Sequence, residues 1–294
     1  MKEVHVPVLL NETIEGLNLK KDSFVIDATT DGGGHAAEIL KKLGPEGELA
    51  GIDADEDMIR LLEERFADEK RLKLFHLNFS DLEKVTKSSS AGGRRPDAIL
   101  FDLGLSSLQL SASGRGFSFK AEGGLEMTFD RKRRPNAFDV VNTASREELE
   151  DIIREYGEDR FWRKIASGII RARQQRKIQT AKELEEIISK IVRRKGRISP
   201  ATKTFQALRI YVNEELENIS KGLEEAWKIL SSGGRIAVIS YHSLEDRIVK
   251  KFFKKLAAER AGILIFKKPQ APTRAEMLEN PRSRSAKLRI IEKK

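Results

Sequence analysis

The sequence predicts an α/β fold: a doubly wound, mostly parallel seven-stranded sheet carrying an inserted, mostly helical subdomain. Three observations lead there. Seven short apolar runs read as strands, at 23–28, 47–53, 72–77, 97–103, 234–241, 262–267 and 286–293. The first four alternate with segments of helical periodicity, the pattern of βα units whose sheet is covered on both faces. The fourth and fifth runs stand about 130 residues apart, whereas a crossover needs roughly a few tens of residues at most. The excess is the insert. The sheet domain is expected over 1–110 and 205–294, and the insert over 111–204.

Each element follows in order. "SFVIDA" (23–28) is a strand that runs through "TTDGGG", a glycine-rich turn, into the helical pattern of "HAAEILKKL". "GELAGID" (47–53) ends in Asp53 and is followed by the helix "DEDMIRLLEERFA". "LKLFHL" and "DAILFDL" are continuous apolar runs of the buried-strand type, and "KSSSAGGRRP" (87–96) between them is a surface loop. In the insert, "SREELEDIIREYG", "RFWRKIASGIIRARQQ" and "TAKELEEIISKIV" are helical, and Ser145 with Glu148 and Thr180 with Glu183 fit capping boxes. "TFQALRIYVNEELENISKGLEEAWKIL" places Phe205, Leu208, Val212, Leu216, Ile219, Leu223, Trp227 and Leu230 three or four apart. This predicts one long helix with a core-facing stripe, ended by Ser231-Ser232-Gly233-Gly234. "GRIAVISY", "GILIFK" and "AKLRIIEK" complete the sheet.

Composition bounds the function classes. Of 294 residues, 39% are apolar and 34% charged, and no apolar run approaches the roughly 20 residues that span a bilayer. The N-terminal "MKEVHVPVLLNETIEGL" lacks a secretory cleavage pattern. Cysteine is absent, which excludes disulfides, thiolate metal sites and a cysteine nucleophile. His5, His35, His76 and His242 show no ligand spacing, so no metal is expected. These features fit a cytoplasmic protein with no membrane partner. The formal charge is +9, and residues 131–210 alone hold 21 Lys and Arg against 11 Asp and Glu, a net of +10. That stretch contains "RKRR" (131–134), "RARQQRK" (171–177) and "RRKGR" (193–197). Such clusters are either solvated helix faces or a surface for polyanions, because clustered cations release condensed counterions when they meet phosphates.

In doubly wound sheets, ligands bind outside the carboxyl ends of the strands. "DATTDGGGH" leaves the first strand there, with glycines that let backbone approach a ligand closely. Asp53, ending the second strand, can accept both hydroxyls of a ribose, so a nucleoside-containing cofactor is indicated. Residues 32–37 can be forced into the dinucleotide fingerprint G-x-G-x-x-A, a weak match. Asp27 and Asp31 crowd the same turn and no Lys or Arg lies in it, which disfavours a pyrophosphate and favours the sulfonium of S-adenosyl-L-methionine over NAD. A structural glycine turn is the third reading. Asp102 ends the fourth strand, beside the first in such sheets, and is the best-placed group to orient an amine N–H and take its proton. The other reading is a carboxylate that caps the next turn. Gly104 allows close approach, and Ser106, Ser107 and Gln109 offer neutral hydrogen-bonding groups. In "SYHSLEDRIVKKFF", Tyr241 and His242 can meet a base, or His242 is a satisfied polar group. Ser243 with Glu245 and Asp246 reads as a helix start with Ser243 as its cap.

Together these stretches resemble the RsmH/MraW family of bacterial 16S rRNA (cytosine-N4)-methyltransferases. The resemblance runs from "HVPVLLNE" (5–12) almost to the C-terminus. It is carried by "DATTDGGGH", "GIDAD", "FDLGLSSLQL", "RGFSF", "YGEDRF", "ATKTFQALRIYVNEEL", "SYHSLEDRIVK" and "NPRSRSAKLR". It implies a Rossmann-like methyltransferase sheet with an inserted helical domain. The implied cofactor is S-adenosyl-L-methionine, and the implied partner is the small ribosomal subunit, through a 16S rRNA cytidine in the decoding centre. The cofactor contacts it implies are Gly33, Gly34, His35, Asp53, Phe79, Asp102 and Gln109, with Phe79 flanking the adenine; by its own pattern Phe79 is a core residue.

The chain departs from the family pattern at Thr30 and Asp31, where an apolar residue and a glycine are usual. A non-glycine in that turn strains it, although Asp tolerates the left-handed region better than most residues. "GLEMTFD" (124–130) has Thr128 and Phe129 for an arginine and a methionine, Ser199 stands for a histidine, and Tyr241 for a phenylalanine. The mechanism expected is extrusion of the cytosine from its stack, with N4 turned toward Asp102 or a neighbouring carbonyl. The catalytic candidates are Asp102 and His242. Tyr241, Phe117 and Phe119 are candidates to stack on the base. Arg115, Arg171, Arg173, Arg176, Arg193, Arg194 and Tyr241 form the expected RNA-binding set, and a monomer or homodimer is expected. The rival readings are a non-catalytic RNA-binding assembly factor and an NAD-dependent oxidoreductase.

Overall fold

A computed structural model describes residues 7–88, 93–105, 109–110, 114–119, 123–192 and 199–294. His5, Ser106, Ser107, Arg193 and Arg194 lie outside them. The chain divides into two compact units, one formed by Met1–Ser106 with Leu216–Lys294, the other by Ser107–Glu215.

The first unit holds the seven-stranded sheet. Its strands are β1 (Phe24–Asp27), β2 (Glu48–Asp53), β3 (Leu72–His76), β4 (Ala98–Asp102), β5 (Arg235–Ser240), β6 (Gly262–Leu264) and β7 (Lys287–Lys293), in the order β3-β2-β1-β4-β5-β7-β6. The first five neighbours pair in parallel, and β7 runs antiparallel to both β5 and β6. β6 is shorter than its apolar run: the strand ends at Leu264, one further bond runs from the Ile265 N–H to Ile290 O (3.1 Å), and Gln270 then bridges to Leu288.

The continuous apolar strands are buried on both faces. Phe24, Ile26, Ile99 and Phe101 pack with Leu223, Val249 and Phe253 on one side, while Val25, Leu49, Leu100 and Ile239 pack with Ile14, Ile39 and Leu288 on the other. Full burial of each such side chain is worth about 1.5–3 kcal/mol. The chain reverses its winding between β1 and β4, so their carboxyl ends open at the switch point. The register pairs Asp27 with both Gly51 and Leu100, and Asp102 with Ile239. The acids that end β1, β2 and β4 therefore face one edge.

The second unit is helical, with helices Ala137–Thr143, Arg146–Glu155, Trp162–Gln175, Ala181–Ile191 and Thr202–Asn213. Ser145 and Glu148 make the expected reciprocal capping box. Thr180 accepts the Glu183 N–H, but the Glu183 carboxylate turns instead to the Gln179 N–H at 2.7 Å and to Arg176. That end is therefore capped from one side only.

The long helix expected from Phe205 to Leu230 is two helices. Glu214 adopts the left-handed conformation (φ 50°) between Thr202–Asn213 and Glu215–Ile229. Asn213 is buried there; its amide donates to Met127 O (2.7 Å) and Arg209 O (2.9 Å) and accepts the Phe129 N–H (2.9 Å). The compact units divide at 106/107 and 215/216, where 110/111 and 204/205 are expected from the sequence, and the break at Glu214 adjoins the second of these divisions. No helix among the described residues is long and apolar enough to cross a membrane.

Candidate functional site

The turn after β1 is built by its own polar atoms. Thr30 is buried; its hydroxyl lies 3.1 Å from both Asp27 O and Ile52 O, and its N–H donates to Ile52 O at 2.9 Å. This straps the turn across β2. Asp31 takes the left-handed conformation (φ 48°), and its N–H donates to Asp53 Oδ2 at 3.0 Å. Asp31 thus adopts a conformation that favours glycine, and its N–H is held by the carboxylate next door. Gly33 (φ 76°) precedes the helix Gly34–Lys42, and a Cβ there would come within 2.6 Å of the Phe66 ring. Arg65 donates to the Gly32 carbonyl and stacks beside Phe66.

Asp53 accepts the Asp55 N–H on Oδ1 (2.8 Å) and the Asp31 N–H on Oδ2 (3.0 Å). Each oxygen keeps a lone pair, so the carboxylate can still accept two hydroxyls. Asp102 is held more completely. Its N–H donates to Thr29 Oγ1 (2.6 Å), Oδ1 accepts the Tyr241 hydroxyl (2.8 Å), and Oδ2 lies 3.4 Å from His35 Nδ1. His35 Nε2 is 3.1 Å from Val8 O. The Tyr241 ring reaches Asp102 because Gly104 (φ 142°) carries no Cβ; one built there would stand 3.0 Å from that ring.

These acids are costly where they lie. Burial pushes Asp27 up to about 7, with the charges of Asp102 and Asp53 adding to it against the Thr29 N–H. Burial also raises Asp53 to about 7 against the backbone N–H of Asp55, and Asp102 to about 7 against its bond from Tyr241. Asp31, which keeps a partly exposed edge, is raised by desolvation and by Asp53, Asp102 and Asp27. Burial and the Asp102 carboxylate push the Tyr241 phenol up. Asp27 Oδ2 is buried with no hydrogen-bond partner. Among the described residues, no Lys or Arg pairs with Asp27, Asp31, Asp53 or Asp102. Such an edge fits a ligand that brings a positive charge and hydroxyl donors, and it would repel a pyrophosphate.

The structure corrects several residue assignments. The cap of the helix Ser243–Ala258 is His242, not Ser243: its Nδ1 accepts the Glu245 N–H at 3.4 Å. His242 Nε2 stands 3.0 Å from Glu245 Oε1 without the alignment of a hydrogen bond. The cap holds the His242 ring through Nδ1 and leaves Nε2 buried without a hydrogen bond among the described residues. The Tyr241 hydroxyl is engaged by Asp102. Phe79 packs edge-on against Phe101 (5.7 Å, 83°) at the rim of the core, the arrangement its own pattern predicts.

In the second unit, Gln109 is buried. Arg115 is only 2% exposed and donates to Phe129 O (2.9 Å) and Thr128 O (3.3 Å), so it braces backbone and has no face for RNA. Arg173 donates to Val141 O (3.0 Å) and Ala144 O (2.7 Å), and Arg176 pairs with Glu183 (2.6 Å). Arg171 is exposed, with no hydrogen bond or ion pair among the described residues. Phe117 is buried and stacked on Phe129 (5.5 Å), and Phe119 meets Phe205 edge-on (5.2 Å).

Sequence reasoning missed Thr29, Arg65 and the tie of Glu245 to the Tyr241 N–H (2.7 Å). For Glu245 the signal was present, an acid at the third position of a helix, where it can reach back to the cap. Thr29 and Arg65 act on residues far away in sequence, and no local pattern marks them.

Comparison with known proteins matches residues 2–294 to the MraW methylase family. "Ribosomal RNA small subunit methyltransferase H" of Caldicellulosiruptor saccharolyticus is 46% identical over 305 residues, covering 98% of this chain and 99% of that protein. The protein of the same name from Persephonella marina is 44% identical over 293 residues (98% and 99% covered), and that of Coprothermobacter proteolyticus 42% over 289 residues (98% and 96%).

Proposed function

The chain belongs to the MraW methylase family, and we propose that it is an S-adenosyl-L-methionine-dependent methyltransferase that modifies the exocyclic N4 of a cytidine in the decoding centre of small-subunit rRNA. The observation that carries this reading is the edge at β1, β2 and β4, where Asp27, Asp53 and Asp102 are buried with no Lys or Arg against them among the described residues. The names of the relatives support the small ribosomal subunit as substrate.

When bound, S-adenosyl-L-methionine supplies an electrophilic methyl group on a sulfonium. Asp53 would hold its ribose, with Gly33 and Gly34 giving the backbone room beside it. Asp102, oriented by Tyr241 and Thr29, would accept an N–H of the cytosine amine and take its proton. The amine lone pair is conjugated with the ring, so orientation and exclusion of water matter more than a strong base. Gln109 and Phe79 stay in the proposed cofactor set on the strength of the family pattern. Arg171 would meet RNA phosphate, and the basic run of Arg193 and Arg194 in the sequence suits the same role.

Labelled methyl transfer tests the reading. Small subunits lacking the modification should accept label on N4 of one cytidine, and mature subunits should accept none. Absence of label from both would refute the substrate assignment.

A further inference from the structure

The ring of His35 is 5% exposed and lies between two oxygens. Val8 O, 3.1 Å from Nε2, is a carbonyl and can only accept, so Nε2 carries a hydrogen. In the neutral ring Nδ1 is then a lone pair, and it faces Asp102 Oδ2 at 3.4 Å. The other oxygen of Asp102 already takes the Tyr241 hydroxyl. A carboxylate oxygen facing a ring lone pair in a buried site is repulsive, and one proton between them removes the repulsion. Among the described residues, the titratable groups seen against this cluster are acids or a phenol: Asp27 at the end of β1, Asp31 on the turn, Asp53 at the end of β2, and Tyr241 and Glu245 beyond β5.

Resting on the methyl-donor reading, we propose that His35 is a positioning residue that shares a single proton with Asp102, that the pair releases this proton when a sulfonium enters the edge, and that it recovers one from the amine. A sulfonium beside the pair supplies the positive charge that the shared proton otherwise provides, so the proton becomes dispensable. As the N–C bond forms from the amine lone pair, the methyl–sulfur bond breaks toward sulfur, and the displaced N–H proton passes to Asp102 and is shared with His35. The charge that entered as a sulfonium ends as the proton of the pair. The pair thus leaves the base free when the donor is bound and occupied when the neutral product is bound.

Calorimetry in buffers of different ionisation enthalpy counts the protons released on binding. S-adenosyl-L-methionine and S-adenosyl-L-homocysteine differ by one methyl group and its charge, so each is the control for the other. Near pH 6, about a unit below the value of the Asp102 carboxyl, the first is expected to release about one proton more than the second. In His35→Asn and in Asp102→Asn that difference should fall to near zero, with either variant sufficient if the other fails to fold. Equal release by the two ligands in the wild-type chain, or an unchanged difference in a folded variant, overturns the shared proton while leaving the donor reading intact. Failure of both ligands to bind overturns the donor reading, and the shared proton with it.

Discussion

The two compact units treat charge in opposite ways. At the sheet edge of the first, carboxylates lie buried with no Lys or Arg against them among the described residues, and Asp27 keeps an oxygen without any partner. In the second, the surplus of cations looked like a surface for phosphate, yet Arg115 and Arg173 hold backbone carbonyls and Arg176 holds Glu183. An arginine is easily satisfied within the fold, because its five donors reach carbonyls several residues away. A buried acid without a cation is held at a cost, and that cost persists until something positive arrives. The uncompensated acids therefore mark the site more reliably than the abundant cations.

The sharpest break of this contrast is at Asp102. Asp102→Asn keeps the shape and most hydrogen bonds but removes the proton acceptor. Turnover is expected to fall by about 10²–10⁴-fold, the usual contribution of a positioned base, while donor affinity changes less than about tenfold. Single-turnover methylation together with calorimetry separates the two. Equal losses in both would make Asp102 a cofactor clamp and nothing more.

The second prediction concerns pH. The carboxyls of Asp27, Asp53 and Asp102 rise from the model-peptide value near 3.8 to about 7 on folding. The folded chain therefore holds more protons than the unfolded chain between those limits, and stability falls as pH rises through them. Below about pH 4 the penalty is absent, and above about pH 7 it is complete, with a ceiling of about 4 kcal/mol per group. Urea unfolding of the ligand-free chain from pH 4 to pH 8 should show this decline, and Asp27→Asn should flatten it. A flat wild-type profile would mean that the edge is not electrostatically strained.

Much of this was legible in the chain. Continuous apolar strands, the glycine turn and helical periodicity identify themselves locally, and Asp27, Asp53 and Asp102 stand where apolar runs end. The break at Glu214 was not legible, because the apolar stripe keeps its phase across it; Asn213, an amide able to bond its own backbone and a distant loop, was the only hint. The role of Thr29 was hidden because its partner is 73 residues away. The arginines misled for a related reason. A helix-surface arginine has the same sequence pattern whether its guanidinium meets solvent or, like that of Arg173, a carbonyl 32 residues back.

Arg115 and Arg173 sharpen the contrast from the other side. Arg115→Ala empties a buried position and strands the carbonyls of Thr128 and Phe129, so a loss of about 3 kcal/mol in unfolding free energy is expected. Arg173→Ala exposes two carbonyls near the end of the helix Ala137–Thr143 and should cost about 1–2 kcal/mol. Neither should change how RNA affinity depends on salt. A reduced salt slope in either folded variant would return that arginine to the RNA-binding surface.

Arg171 carries the smallest effect and the most direct test of the basic unit. It is exposed, so Arg171→Gln should leave stability within about 0.5 kcal/mol of the parent. If its guanidinium neutralises one phosphate, the slope of log affinity against log salt should become shallower by about 0.7–0.9 for an rRNA fragment, the value for one released counterion. The comparison with Arg173→Ala is internal, because both residues lie on the helix Trp162–Gln175 and differ in whether the guanidinium is already engaged. A slope that moves for Arg171 and not for Arg173 assigns the RNA footprint to cations the fold has left unused. A slope that moves for neither places that footprint away from this helix, whatever its net charge.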